Sequence, residues 1–149
     1  MGQPGRMEHR TEDELTAALP DLRDAPVDAG RLEMIVRRPA PDEREVLDTG
    51  ELDLSVGLVG DTWIDRGRSR TEDGSSHPDM QLNVMSSRVV DLIARSRDRW
   101  ALAGDQLYVD LDLSEANLPP GTRLHLGDDA VIEVTDQPHT GCAKFTRRF

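Results

Sequence analysis

The pattern of apolar and polar positions predicts a short helix near the start of the chain. Thr11-Glu12-Asp13-Glu14 has the form of a capping box, in which the Thr hydroxyl and the Glu carboxylate each satisfy a free backbone N–H group. An apolar stripe at helical spacing follows, formed by Leu15, Ala18, Leu19 and Leu22. Pro20 is expected to limit this helix, because the residue before a proline is disfavoured in α geometry.

After Pro26 the pattern changes to short runs typical of β-strands. The runs predicted as strands are residues 32–36, 44–47, 52–58, 81–85 and 106–113, and a hairpin over 122–126 and 130–135. Ser86 or Ser87 is predicted to cap a second helix, and residues 65–79, rich in Arg, Ser, Gly and Asp, are predicted to form a mobile surface loop. Many short strands with only two helices favour a mainly β fold, either a barrel or a sandwich.

Composition and charge exclude several classes of protein. The 149 residues suit one domain, and the core must be aliphatic because the chain has only two Trp, one Tyr and two Phe. A net charge of −11 argues against non-specific binding to nucleic acid and against an anionic membrane surface. No stretch approaches the roughly 20 apolar residues of a membrane span, and the first residues lack the apolar core of a signal peptide. A single cysteine, Cys142, forms no intrachain disulfide, which indicates a reducing, cytoplasmic compartment.

The surroundings of Cys142 carry the main candidate chemistry. Thiols react as thiolates, and nearby positive charge lowers the pKa of a thiol. In this acidic chain Lys144, Arg147 and Arg148 all lie within six residues of the cysteine, and His139 lies three residues before it. This arrangement would suit a reactive thiol or a ligand for a soft metal.

Other interpretations of these residues stay open. On composition alone, a lone cysteine is usually a small buried hydrophobic residue. His139 and Cys142 would supply two metal ligands, whereas structural zinc takes four, and the sequence contains no CxxC or HxxxH motif. His77 and His125 are interpreted as ordinary solvated side chains. The sequence also lacks a GxSxG motif, a Walker loop and a GxGxxG motif followed by a helix.

Several segments together resemble the MOSC domain family, named after the C-terminal domain of molybdenum-cofactor sulfurases. Gly57-Leu58-Val59-Gly60-Asp61 resembles the family's Gly-Leu-x-Gly-Asp signature, and Pro138-His139-Thr140-Gly141-Cys142-Ala143-Lys144-Phe145 resembles its cysteine motif. The run over residues 102–113, the segment 117–122 and the strand over 132–135 are similar to the part of the family between these motifs. The likeness spans residues 30–149.

The resemblance implies a fold and a set of site residues. It implies a mostly β barrel of the pyruvate-kinase β-barrel type over residues 27–149, preceded by an N-terminal tail and short helix over 1–26. Cys142 would hold a persulfide or coordinate the molybdenum of a molybdenum cofactor. His139, Thr140, Gly141 and Lys144 would shape the cofactor pocket, with Lys144 favouring an anion such as a pterin phosphate. The implied partners are a sulfur donor or a molybdoenzyme.

The resemblance also sets expectations about what is missing. Family members containing a sulfurase bind pyridoxal phosphate in a separate aminotransferase-like domain, which this sequence does not resemble, so the chain would receive persulfide sulfur rather than generate it. Family members continue past the position of Phe149, so the closing strands are expected to be missing and the barrel to be incomplete. An open barrel exposes an unpaired edge that favours dimerisation. The alternative function is therefore a non-catalytic truncated binding or structural module that needs a partner or a dimer.

Overall fold

The structure is a computed structural model that describes residues 9–66, 71–137 and 143–149. Its strands are β1 (Arg31–Arg37), β2 (Glu45–Leu47), β3 (Leu52–Asp53), β4 (Gly57–Leu58), β5 (Val84–Ser86), β6 (Leu107–Asp110), β7 (Arg123–Leu126) and β8 (Ala130–Glu133). Its α-helices are α1 (Glu12–Arg23), α2 (Trp63–Arg66), α3 (Ser87–Ala94) and α4 (Ala143–Arg148), and its 3-10 helices are η1 (Pro78–Met80) and η2 (Arg97–Ala103).

A four-stranded sheet in the order β2-β1-β6-β5 forms the centre of the fold. β1 is antiparallel to both β2 and β6, whereas β5 is parallel to β6. Leu107, Tyr108 and Val109 of β6 are all buried. The strand predicted over residues 106–113 is therefore present in part, and because both of its faces are covered by apolar clusters, β6 is more buried than the alternation of apolar and polar residues in the sequence suggests.

Two apolar clusters cover the central strand. The larger one consists of the buried residues Val36, Val90, Ala94, Trp100, Tyr108 and Phe149. The smaller one consists of Val109, Leu111 and Leu118, with partly buried residues of the β7–β8 hairpin packed against it. Because Tyr108 and Val109 are consecutive in β6, their side chains point to opposite faces, and each cluster covers one face of the sheet.

The described strands form the four-stranded sheet and two separate hairpins, β3–β4 and β7–β8. This combination of sheets with a few helices is compatible with a mainly β fold, and no closed barrel is present among these strands. The expectation of only two helices is wrong, since α2, α4 and both 3-10 helices are additional. Among the described residues, no helix has both the length and the apolar character needed to cross a membrane.

The N-terminal helix begins as the sequence predicts and ends later. The backbone N–H of Glu14 donates to the Thr11 hydroxyl at 3.1 Å, which confirms the N-cap. The helix nevertheless continues through Pro20 to Arg23, so the predicted limit at Pro20 is wrong. Proline removes one N–H donor, but the last turn is held from outside the helix because Arg88 donates to the Asp21 carbonyl at 2.7 Å.

Local turn and cap signals locate several other elements. Ser86 caps α3 by accepting from the Val89 N–H at 3.3 Å, and the hairpin around Gly127 joins β7 to β8 as predicted. The run 52–58 forms two strands joined by a turn, because the Asp53 carboxylate accepts the N–H groups of Ser55 and Val56. The run predicted over 81–85 is displaced, with η1 preceding it and β5 beginning at Val84.

The stretch predicted as a surface loop is partly built into the structure. α2 occupies its beginning and η1 its end. Ser76 is buried, and its hydroxyl donates to the Trp63 carbonyl at 2.5 Å. The described part of residues 65–79 is therefore fixed against the core at one point rather than mobile along its whole length.

Candidate functional site

The predicted site residues fall mostly outside the part of the chain that the structure describes. Cys142, His139, Thr140 and Gly141 all lie in the segment 138–142, which is not described. Lys144 is described, and it is an exposed residue of α4. The site can therefore be built only from the elements that precede and follow the cysteine.

The helix that follows Cys142 is anchored to η2 and to the core. Arg148 donates through Nη1 to the Leu102 carbonyl at 2.9 Å, and Arg99 donates through Nη2 to the Arg148 carbonyl at 2.5 Å. Phe149 is 6% exposed and belongs to the larger apolar cluster. These contacts fix the position of α4, the helix that follows Cys142 in the sequence.

The Gly-Leu-x-Gly-Asp segment ends in a buried ion pair. The Asp61 carboxylate accepts from the Arg38 side chain through Nε at 3.0 Å and Nη2 at 2.8 Å, and also from the Arg38 backbone N–H at 2.8 Å. The two side chains are 8% and 0% exposed. The carboxylate also accepts the Trp63 N–H at 2.9 Å, so the pair joins the end of β1 to the start of α2.

Hydrogen bonds keep the Asp61 carboxyl ionised in spite of its burial. Burial alone would raise its pKa, but the hydrogen bonds and the charge of Arg38, together with the N–H of Trp63, outweigh it and hold the pKa of Asp61 below its usual value. Gln106 is fully buried and donates to Asp61 Oδ2 and to the Gln81 carbonyl, each at 3.3 Å. Its own amide oxygen accepts the Asn83 N–H at 2.9 Å. The buried pair is thus part of a hydrogen-bond network that reaches β5.

Three more arginines, Arg44, Arg66 and Arg148, have charges close enough to interact with this pair or with one another. We call these three residues and Arg38 the arginine cluster. Arg44 donates through Nε to the Ala101 carbonyl at 3.2 Å, next to the carbonyl that holds Arg148. Arg66 donates through Nε to the Thr62 hydroxyl at 3.1 Å. Within residues 9–66, 71–137 and 143–149, neither Arg44 nor Arg66 forms an ion pair within 4.0 Å.

The cluster concentrates positive charge in a protein whose net charge is −11. Burial, followed by the charges of Arg148 and Arg38, lowers the pKa of Arg44. Partial burial, followed by the charge of Arg38, lowers the pKa of Arg66, while Asp61 and Asp42 act in the opposite direction. The charge of Asp42 also partly offsets the lowering of the pKa of Arg44. Guanidinium groups stay protonated in proteins, so these arginines repel one another, and a bound anion would relieve that repulsion.

Tyr108 is a buried residue of β6 with a structural role. Tyr108 donates its hydroxyl to the Trp100 carbonyl at 3.0 Å, and its ring stacks on Trp100 with centroids 6.1 Å apart. Burial, followed by the charge of the equally buried Asp105, raises the pKa of Tyr108 far above its usual value. The phenol is therefore held neutral as a hydrogen-bond donor.

Sequence reasoning missed the arginines on the first half of the chain. The segment from Gly57 to Asp61 was interpreted through its resemblance to the MOSC signature, which assigned no ion-pair partner to Asp61, and Gly60 adopts a positive φ of 89°. Asp61, however, is buried and binds Arg38, which directly follows β1 and directly precedes Pro39. An arginine at the end of an apolar strand was the available signal, but its partner lies 23 residues away.

The described residues contain no group of three or more His, Cys, Asp or Glu side chains that could hold a metal ion. Comparison with known proteins adds no assignment, because no family model, no curated protein and no solved structure matches the chain.

Proposed function

We propose that this chain is a MOSC-type domain that handles sulfur or a molybdenum cofactor through Cys142, with the arginine cluster as an anion site beside the cysteine. The observation that supports the proposal is the gathering of Arg38, Arg44, Arg66 and Arg148 within a strongly acidic protein; Arg148 belongs to α4, the helix that follows Cys142 in the sequence. The barrel architecture and the role of each motif residue belong to the same proposal.

Electrostatics give the cluster a reason to bind anions. Holding like charges together costs free energy, and within the described residues Arg44 and Arg66 have no ion pair within 4.0 Å. The more distant charges of Asp42 and Asp61 offset this cost only in part. Arginine binds phosphate and carboxylate groups through parallel N–H donors, which gives geometric specificity as well as charge. The same positive charge would favour the thiolate form of Cys142 over the thiol.

The sulfur-carrier form of the proposal follows from a thiolate at Cys142. The thiolate would attack the outer sulfur of a donor persulfide, so that a new S–S bond forms at Cys142 and the donor leaves as its own thiolate. No oxidant is required, because the transferred sulfur keeps its oxidation state. Lys144 and the arginines would stabilise the anionic groups before and after this exchange.

The chemistry of these residues also fits a molybdenum cofactor. A thiolate is a soft ligand that suits a transition metal, and arginines suit a phosphate group. Cys142 would be the protein ligand of the metal, and His139, Thr140, Gly141 and Lys144 would line the cofactor as the family resemblance implies. When bound, the cofactor supplies the redox chemistry of the metal, and the chain binds and orients it.

The first test is the pH dependence of Cys142 alkylation, which reports a single site because the chain has only one cysteine. We expect a thiol pKa below the ordinary value of about 8.5. Replacing Arg44→Gln and Arg66→Gln together should raise this pKa, since two nearby cations are removed. The matched control is Arg31→Gln with Arg123→Gln, which removes the same charge outside the cluster. An ordinary pKa, unaffected by either pair, would refute the electrostatic part of the proposal.

A second measurement separates sulfur handling from a merely reactive thiol. The protein is treated with glutathione persulfide, desalted, and assayed for sulfur released by cyanide. We expect sulfur to be retained by the natural chain and absent from the Cys142→Ser variant. Equal retention of sulfur by both proteins, or retention by neither, would contradict the sulfur-carrier role. The molybdenum content of the purified protein would then test the cofactor role by itself.

A further inference from the structure

A groove lined largely by apolar residues lies beside the β3–β4 and β7–β8 hairpins. It has a volume of about 970 Å³ and is lined by three segments: the β3–β4 hairpin, the stretch from η1 to the start of β5, and β8 with the residues that follow it. The Thr135 hydroxyl donates to the Asp79 carbonyl at 2.9 Å, which joins the second and third of these segments. The groove is therefore a feature of the packed fold and not of one loose loop.

The floor of the groove is the exposed side of the smaller apolar cluster. Leu113, Leu118 and Leu124 belong to that cluster and line the groove. At its edge, Leu54 at the tip of the β3–β4 hairpin is 97% exposed. A leucine exposed to this extent beside an apolar groove marks an interaction surface better than scattered apolar residues do.

The rim of the groove is acidic. Its lining residues include five exposed carboxylates and no Lys, Arg or His; the five are Glu51, Asp53, Asp79, Asp129 and Glu133. Glu133 already pairs with Arg123 of β7 at 3.5 Å, so the other four carry most of the negative charge of the rim. A second copy of this chain would bring the same carboxylates against them, in a protein already at −11. Charge complementarity therefore favours a basic partner over self-association.

The third wall of the groove presents a strand edge. β8 pairs with β7 on one side, and no described strand pairs with its other side. Residues 129–135 of β8 and its flanks all line the groove. An unpaired strand edge next to apolar pockets is the arrangement used by proteins that bind an extended segment by adding it to a sheet.

We propose that this groove binds an extended segment of a partner protein in which apolar side chains alternate with Lys or Arg. The apolar side chains would enter the groove over Leu118 and Leu124, and the cations would meet the acidic rim. The backbone of the segment would pair with β8. This inference is independent of Cys142 and of the proposed sulfur or molybdenum chemistry.

The probe is a fluorescent peptide of about ten residues, within the usual length of a strand, in which Val and Lys alternate. Its binding is followed by fluorescence anisotropy at physiological ionic strength, which screens distant charges. A peptide with the same composition but with all Lys residues in one block is the control for net charge. We expect the alternating peptide to bind and the block peptide to bind much more weakly; equal binding would overturn the proposal.

Variants of the protein locate the binding site. Reversing three rim charges, Glu51→Lys with Asp79→Lys and Asp129→Lys, should weaken binding by about tenfold or more, because like charges would then face each other. The matched control reverses three exposed carboxylates outside the groove. These are Asp28, Glu72 and Glu115, which give the same net charge when changed to Lys. Equal weakening by both triple variants would mean that the peptide responds only to total charge, and the groove would be rejected.

An apolar variant provides a test that does not depend on charge. Leu54→Ser should weaken binding without loss of stability, because the side chain is 97% exposed. Val27→Ser, at 64% exposure outside the groove, is its control and should leave binding unchanged. The Cys142→Ser protein should bind the peptide normally. A dimer in size-exclusion chromatography that the rim variants dissociate would show that a second copy occupies the groove, and would overturn the assignment to a basic partner.

Discussion

The sharpest test of the fold is to break the buried pair of Arg38 and Asp61 by the substitution Arg38→Met. The change removes two charge-assisted hydrogen bonds, at 2.8 and 3.0 Å, and leaves Asp61 as a buried carboxylate without its counter-ion. Because the two side chains are 8% and 0% exposed, solvent screens this loss only weakly. Removing one partner of a buried ion pair costs about 3–5 kcal/mol.

The expected loss is large enough to measure by urea denaturation. With an m-value of about 2 kcal/mol/M, typical of a small domain, a loss of about 4 kcal/mol lowers the denaturation midpoint by about 2 M. The adjacent residue supplies a matched control. Arg37 makes the same two-pronged contact with Glu45, at 2.8 and 3.0 Å, but that pair lies at the surface. Arg37→Met should therefore change the midpoint far less, since exposed pairs are screened by water.

Equal midpoint shifts for the two methionine variants would refute the argument that burial gives the pair its importance. The double variant Arg38→Met with Asp61→Leu adds a second check. It should recover part of the lost stability, because no buried charge remains. Recovery should be incomplete, since the N–H groups of residue 38 and Trp63 and the Gln106 amide lose their acceptor.

The pH dependence has a definite sign. Asp61 has a lowered pKa in the folded state, so its contribution to stability is complete above the unfolded value of 3.8 and is lost as the pH falls through the folded value. In Arg38→Met, burial dominates and raises the pKa of Asp61, so that variant takes up the proton at a higher pH. The difference in unfolding free energy between the natural protein and the Arg38→Met variant should therefore decrease as the pH falls. A difference that does not change with pH would contradict this account.

Three further predictions concern single residues. Gly60→Ala should destabilise the protein by roughly the 1–2 kcal/mol that a left-handed backbone costs any other residue, because the only close contact of the added Cβ is the Arg37 side chain, 2.8 Å away at Nη1, which is flexible and partly exposed and can move aside. Tyr108, the only tyrosine, should show no tyrosinate absorbance near its usual pKa of about 10 while the protein is folded. Phe149→Ala should cost about 3–5 kcal/mol despite its terminal position, since Phe149 is 6% exposed within the larger cluster.

Controls and opposing outcomes are available for each of these predictions. Gly121 has a similar positive φ, 92° against 89°, with no atom near an added Cβ, so Gly121→Ala measures backbone strain alone. A much larger cost at Gly60 than at Gly121 would show that the Arg37 side chain does not move aside. Because the pKa of Tyr108 is raised in the folded protein, the contribution of this residue to stability is present below pH 10 and is lost as the pH rises through its folded-state pKa. Tyrosinate absorbance that appears near pH 10 in the folded protein would refute the burial of Tyr108. Leu54→Ala, at 97% exposure, is the control for Phe149→Ala by denaturation.

The elements that were correctly predicted are those set by local signals. The N-cap at Thr11, the cap at Ser86 and the turn at Gly127 each depend on residues within one turn of the chain. β1 was likewise predictable, because an apolar run leads directly to Pro39. In these places the backbone conformation follows from residue types a few positions apart.

The elements that were missed depend on contacts between distant parts of the chain. The last turn of α1 continues beyond Pro20 because Arg88, in α3, holds the Asp21 carbonyl. α4 is polar and basic in sequence, and its placement comes from Arg99 and from the packing of Phe149. Cys142 and the three residues before it lie outside the described chain, so the roles predicted for them stay predictions.

The Gly-Leu-x-Gly-Asp segment joins the two proposed sites, and this explains its composition better than turn formation does. Gly57 lines the groove with a φ of 74°, and an added Cβ would lie 3.2 Å from the Gln81 carbonyl. Asp61 at the other end holds Arg38 in the arginine cluster. The side-chain amide of Gln106 links the two ends of the segment, because it donates both to Asp61 and to the Gln81 carbonyl beside Gly57. A side chain at position 57 would press on the groove wall, and a neutral residue at position 61 would release Arg38. The segment therefore needs glycine at one end and a carboxylate at the other for two different physical reasons.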